Sequence, residues 1–357
     1  MGALPSGQRL VNACRWSASR ESTFHECRKK YWYTYYGSWE GWPKTPFDTR
    51  PSIDTLASHL YMLKNMQPAC MCMGSVVHKV IEESLKTIRQ SRKLPESAQL
   101  VESVISAHDK AMTDSKQQRW KRHPKHHTNI LEHYYGLPFG EAEEQASKDK
   151  AVSCINHWVT SAVVQNVLLD TRAEWLGIES TQTFSIDSGV EAIVVYDFFL
   201  WWKKADGSKM MIIFDWKTGQ ENSKIDDQMF AYALAATALY SIPVDALILS
   251  PFYLAAGPSG YKKYGVHQDV LIDPQALEST RSRLIASARQ MLSLHPACDK
   301  EGLIPLPDPR LFSYPDDRRR CRRCPFQEVC TAADFQPKEI NELRALCDKK
   351  ECVLKGI

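Results

Sequence analysis

Apolar and polar positions fall in blocks along this chain, and two of the apolar blocks run straight into an acid. Ala192-Ile193-Val194-Val195-Tyr196 leads to Asp197, and Met210-Met211-Ile212-Ile213-Phe214 leads to Asp215. Short apolar runs rich in β-branched and aromatic residues predict buried strands, here over 192–201 and 210–216. The segment between them holds Asp206-Gly207, a pair suited to the positive backbone angles of a hairpin turn. Further strands are predicted over 181–186 and 244–250, with an edge strand over 264–272. Helical spacing predicts a largely helical region over 74–171, a helix over 226–236 between two strands, and another over 274–294. This order implies an α/β core with a helical insertion. The chain divides into an N-terminal segment 1–73, a helical region 74–175, a core 176–295 and a cysteine-rich segment 296–357, read together as one domain.

The two acids gain meaning from their surroundings. Residues i and i+2 of a strand share a face, so Asp215 and Lys217 point together while Trp216 points away. As hairpin neighbours, Asp197 and Asp215 bring two carboxylates together, and these repel unless a cation lies between them. Hard oxygen ligands with open positions suit Mg2+ or Mn2+. Such an ion lowers the pKa of bound water, and a lysine beside it can orient that water or stabilise a pentacovalent phosphate. Gln228 and Tyr232, four apart in an alanine-rich segment that opens with Asp226-Asp227, project from one helical face. His78, in Gly74-Ser75-Val76-Val77-His78, is expected near the first turn of a helix, with Glu82 one turn on. Each also has a plainer reading: an ordinary hairpin with a surface aspartate, a structural histidine, a polar pair on a solvated helix.

Cysteine and charge add a second constellation. Cys321, Cys324 and Cys330 are closely spaced near the C-terminus, and Cys27 stands near the N-terminus, enough thiols for one metal site. The other cysteines, among them Cys14, Cys70, Cys72, Cys347 and Cys352, are expected to pack. Eleven cysteines in 357 residues, without a readable signal peptide, suit a reducing compartment such as the cytoplasm. No apolar stretch is long enough to span a membrane. Net charge is only +3, but five arginines surround Cys321 and Cys324, and Arg28-Lys29-Lys30 follows Cys27. A metal joining these cysteines would gather a basic surface for phosphates. The aromatic run Tyr31-Trp32-Tyr33-Thr34-Tyr35-Tyr36 is either core or a stacking surface for bases. The basic segment 119–127 reads as a solvated or DNA-facing loop. No Gly-x4-Gly-Lys-Ser/Thr loop is present, so a helicase would have to be a separate partner.

Taken in order, His78, Asp197, Asp215 with Lys217, and Gln228 with Tyr232 resemble the RecB-like branch of the PD-(D/E)XK nuclease superfamily. The resemblance implies a restriction-endonuclease-like core with metal ligands His78, Asp197, Asp215 and the carbonyl of Trp216. It makes Lys217 catalytic, with Gln228 and Tyr232 helping to position DNA. Many relatives carry glycine three residues before the first aspartate, where this chain has Val194. The cysteine pattern is similar to that of AddB-like and CRISPR-associated RecB-like nucleases, which implies a 4Fe-4S cluster on Cys27, Cys321, Cys324 and Cys330, joining the N- and C-terminal segments. Four thiolates also suit zinc. The expected function is a Mg2+- or Mn2+-dependent DNA nuclease, exonucleolytic on single strands or DNA ends. The alternatives are a noncatalytic DNA-end-binding subunit of a repair, recombination or CRISPR adaptation complex, and a zinc-stabilised interaction protein.

Overall fold

The computed structural model describes residues 11–43, 55–221, 224–265, 269–299 and 304–330. Cys347 and Cys352 lie outside them. In chain order the helices are α1 (Ala18–Glu26), α2 (Arg28–Trp32), α3 (Leu56–Lys64), α4 (Ala69–Ser91), α5 (Ser97–Lys116), α6 (Leu131–Tyr135), α7 (Glu141–Val159), α8 (Lys224–Tyr240) and α9 (Pro274–Leu292). The strands are β1 (Met66–Gln67), β2 (Asn129–Ile130), β3 (Ala173–Asp187), β4 (Val190–Lys203), β5 (Lys209–Lys217), β6 (Leu247–Tyr253), β7 (Tyr264–Gly265) and β8 (Val270–Leu271). The fold is mixed α/β, as the pattern of apolar blocks predicts. Among the described residues, no helix is long and apolar enough to cross a membrane.

Two compact units partition the chain. One comprises residues 67–119 and 127–286; the other comprises 1–66, 120–126 and 287–357. The first contains a six-stranded sheet in the order β3-β4-β5-β6-β7-β8. β3, β4 and β5 form an antiparallel meander, whereas β5 and β6 run parallel, with Asp215 opposite Pro251 and Lys217 opposite Tyr253. Parallel neighbours need a crossover, and α8 supplies it. The apolar stripe of α4 (Val76, Val77, Val80, Ile81, Leu85) joins Ile155 and Trp158 of α7 and Phe198, Phe214 and Trp216 of the sheet in one core. Trp216 therefore points away from Asp215, as strand alternation requires.

The structure moves several expected boundaries. β3 begins at Ala173, well before residue 181, and the 264–272 region gives two short strands, with 266–268 outside the described residues. The turn after β4 spans Lys204 to Ser208, with Gly207 at φ +84°, so the Asp-Gly signal sits inside a longer loop. α4 starts at Ala69 rather than Gly74, because Pro68 fits just before the first helical residue and the apolar run after it continues the core stripe. His78 thus lies in the third turn. Asp197 falls inside β4, as the strand expected over 192–201 places it.

The second unit ties the chain's two ends together. Trp32 Nε1 donates to the carbonyl of Pro307 at 2.8 Å, and Lys29 N donates to that of Ser313 at 2.9 Å. Tyr33 Oη donates to the carbonyl of Val329 at 3.2 Å. His59 and Glu328, both buried, approach to 2.6 Å. Tyr31, Trp32, Tyr33 and Tyr36 are buried, with Phe312 and Phe326 packed on them. These rings are core, which removes them as stacking surfaces for bases.

Trp158 is fully buried and meets Trp216 edge-on at 6.3 Å, so it joins the helical layer to the back of β5. Trp158→Ala is predicted to lower the free energy of unfolding by about 3–5 kcal/mol through the cavity it leaves. A urea midpoint unchanged from wild type would contradict this packing.

Candidate active site

Besides register shifts at Trp175/Gly177 and Ser185/Asp187, the β3–β4 ladder has one gap in constant register, and the acids gather there. Ile178 pairs with Phe198 and Ser180 with Tyr196, but Glu179 and Asp197, which lie between these pairs, leave the ladder. Glu179 adopts φ +45°, the left-handed region. Across the break the faces of β4 exchange: Tyr196 packs on Tyr232 of α8, whereas Phe198, two residues on, enters the core with α4 and α7. This turn lets Asp197 meet a helix on one side and β5 on the other.

Asp197 Oδ2 accepts the amide of Trp216 at 2.6 Å and lies 3.5 Å from His78 Nδ1. Glu179 Oε1 lies 4.0 Å from the same nitrogen. Among the described residues, His78, Glu179 and Asp197 are the only such group of three whose metal-ligating atoms all come within 4.8 Å of one another. Asp215 occupies the adjoining wall, where its Oδ2 is 2.6 Å from Lys217 Nζ. Lys217 also donates to Gln228 Oε1 at 2.8 Å. Gln228 Nε2 reaches Tyr232 Oη at 2.8 Å and Asp215 Oδ1 at 3.3 Å. Tyr232 Oη has one proton and two acceptors within reach, the Val195 carbonyl at 2.6 Å and Asp215 Oδ1 at 3.0 Å. Six of the expected site residues therefore converge, and Trp216 adds its amide. Gln228 and Tyr232 bear on Asp215 and Lys217.

Glu179 was not among the residues singled out from sequence. Its only local signal is an acid amid polar and apolar residues before residue 181, and its position depends on the break between β3 and β4. A cavity of about 710 Å³ opens beside it, lined by Gly74, His78, Lys79, Lys150, Glu179 and Thr218 among others. A side chain at Gly74 would place its Cβ 2.9 Å from Thr218 Oγ1, so glycine keeps this passage open.

Electrostatics explain why the group calls for a cation. Asp197 is 7% exposed and Asp215 only 2%. Burial, followed by the charge of Asp215, pushes the Asp197 carboxyl up to about 7. Burial pulls His78 down, but its bond to Glu179 and the charges of Asp197 and Asp215 outweigh this and raise it. Burial and the same two acids hold Tyr232 well above its usual range, so its hydroxyl stays protonated. An imidazole, clustered carboxylates and an open cavity form a donor set that fits Mg2+ or Mn2+.

The four expected cluster cysteines line one recess with Lys30, Tyr33 and Phe326. Cys27 caps α2, its Sγ accepting the amide of Lys30 at 3.3 Å. Burial raises the Cys27 thiol and pushes Cys324 up to about 12, so without a metal both are protonated. Four thiols gathered in one recess suit either zinc or an iron-sulfur cluster.

The family model of the PD-(D/E)XK nuclease superfamily matches residues 15–331. The chain belongs to that superfamily. Its members hydrolyse phosphodiester bonds with Mg2+ or Mn2+, and the mixed sheet with Asp215 and Lys217 on β5 agrees with their fold. No curated protein matches the chain.

A carboxyl raised in the folded state binds a proton there that the unfolded chain has already released. Asp197 should therefore make the metal-free protein lose stability as pH rises from about 4 to about 7. Cation binding must displace this proton and that of His78. Mn2+ affinity, measured by calorimetry, is predicted to fall below pH 7 by roughly tenfold per pH unit for each proton displaced. An affinity constant from pH 5 to pH 8 would contradict this.

Proposed function

We propose that this chain is a DNA nuclease of the RecB-like branch, acting as an exonuclease on single strands or DNA ends. The observation that carries this reading is the pairing of Lys217 with Asp215 at 2.6 Å beside Asp197, which sits at the gap in the sheet, and His78, which lines an open cavity. His78, Asp197, Asp215 and the Trp216 carbonyl would hold the divalent cation. Bound there, it supplies Lewis-acid polarisation of the phosphate and a water of lowered pKa.

The protein's own groups do the rest. His78 binds as the neutral imidazole, and Lys217 orients the attacking water and faces the charge that builds on the phosphate. Gln228 and Tyr232 are positioning residues, since they hold Asp215 and Lys217 rather than reaching into the cavity. Tyr232 is 3% exposed, so its influence on DNA passes through those two side chains. Lys79 and Lys150 give the cavity wall positive charge for the nucleic-acid backbone. A noncatalytic end-binding role within a repair, recombination or CRISPR adaptation assembly would leave the Asp215–Lys217 pair without a use. ATP-driven unwinding would fall to a separate helicase.

The cysteine recess is proposed to hold a 4Fe-4S cluster on Cys27, Cys321, Cys324 and Cys330, a reading supported by the four thiols lining one recess and by the resemblance of their spacing to iron-sulfur nucleases. Such a cluster would crosslink segments almost the whole chain apart, which restricts the unfolded ensemble. Exposed Arg318, Arg320, Arg322 and Arg323 lie beside it in sequence and offer a basic surface.

Protein purified without oxygen should cut end-labelled single-stranded DNA with Mn2+ or Mg2+, spare circular DNA, and stop when chelated. Asp215→Ala and Lys217→Ala should each remove cleavage while leaving the circular dichroism spectrum unchanged. Tight DNA binding without cleavage in wild type would replace the enzyme with the end-binding reading. For the cysteine site, Cys324→Ala is predicted to lose iron and melt several degrees lower; full iron content in that variant would refute the four-cysteine assignment.

A further inference from the structure

Glu179 occupies a conformation that a glutamate in a strand does not choose for itself. Its φ of +45° lies where L-residues crowd their own carbonyl, and such residues persist only when the surrounding structure fixes them. The surroundings here do so. Two residues earlier, a Cβ on Gly177 would come within 2.4 Å of Phe199 Cε1, so β3 is pressed against β4 and has little room to shift. On the other side Ser180 rejoins the ladder opposite Tyr196. The result is a carboxylate aimed at His78 and into the cavity.

Both oxygens of Asp215 have protein partners. Lys217 takes its Oδ2, while Tyr232 and Gln228 crowd its Oδ1. Without Glu179, a cation would find ready only the His78 imidazole, the Asp197 carboxylate and the Trp216 carbonyl, and would have to compete with Lys217 for Asp215. Sites with so few protein ligands hold Mg2+ loosely, keep its waters and rely on substrate phosphates to complete the shell. We infer that Glu179 is a further ligand of the cation, and that it lets the site hold its metal before nucleic acid arrives. The inference rests on the nuclease reading above. The strained backbone is what this placement costs the fold, as is common where function and stability compete.

The test titrates Mn2+ alone into the full chain without DNA, comparing wild type with Asp197→Asn, Glu179→Gln and Glu179→Gly. Thermal unfolding in chelator is measured alongside. Wild type should bind Mn2+, Asp197→Asn should lose it, and both Glu179 variants should bind roughly tenfold or more weakly. Glu179→Gly should also melt at or above wild type when metal-free, because glycine accepts the positive φ. Wild-type Mn2+ affinity in Glu179→Gln, with binding still lost in Asp197→Asn, would overturn the role of Glu179 and leave the nuclease site standing. Equal affinity in wild type and Asp197→Asn would overturn the metal site itself. A metal-free melting point for Glu179→Gly several degrees below wild type would overturn the strain argument.

Discussion

Two carboxylates buried side by side cannot both carry their charge without positive charge close at hand. Asp197 and Asp215 impose that condition on this protein. Lys217 answers it for Asp215, and His78 answers it in part for Asp197. What remains is an acid whose carboxyl is pushed up to about 7 and an imidazole raised to meet it, a proton-filled arrangement that a divalent cation would replace. The neighbouring polar groups follow from this need. Gln228 is tied to Asp215 and Lys217, Tyr232 to Asp215, and Tyr232 is anchored in turn on the carbonyl of Val195.

The sheet accommodates the acids by giving up regularity where they meet. A continuous β3–β4 ladder would keep Tyr196 and Phe198 on one face and bury Asp197 against apolar neighbours. Breaking it at Glu179 and Asp197 sends those rings to opposite faces and leaves the acid between α4 and β5. The break is confined, because Phe198 stacks on Phe214 on one side and Tyr196 is bonded to the Tyr232 carbonyl on the other. Rigid packing behind the site and an open cavity in front of it are what an in-line attack on phosphate requires.

Much of this was legible in the chain because its signals are local. Apolar runs ending at Asp197 and Asp215, the i, i+2 spacing to Lys217 and the i, i+4 spacing of Gln228 and Tyr232 depend only on strand and helix periodicity. The start of α4 was misplaced because Pro68 offers no capping side chain, and the first turn is held by packing of Ala69, Cys72 and Met73. Glu179 was missed for a stronger reason. Its conformation is set by contacts with a different strand, and an isolated glutamate in Gly177-Ile178-Glu179-Ser180 looks like an ordinary exposed position. The aromatic run at Tyr31 was ambiguous until Phe312 and Phe326, far away in sequence, were seen to cover it.

The central claim is that the acidic group at the sheet break is a cation site. It is tested most directly by X-ray diffraction from crystals soaked in Mn2+, recorded at the manganese absorption edge. An anomalous peak is expected within bonding distance of His78 and Asp197, on the cavity side of β4. Full-occupancy density for these side chains with no peak between them would contradict it.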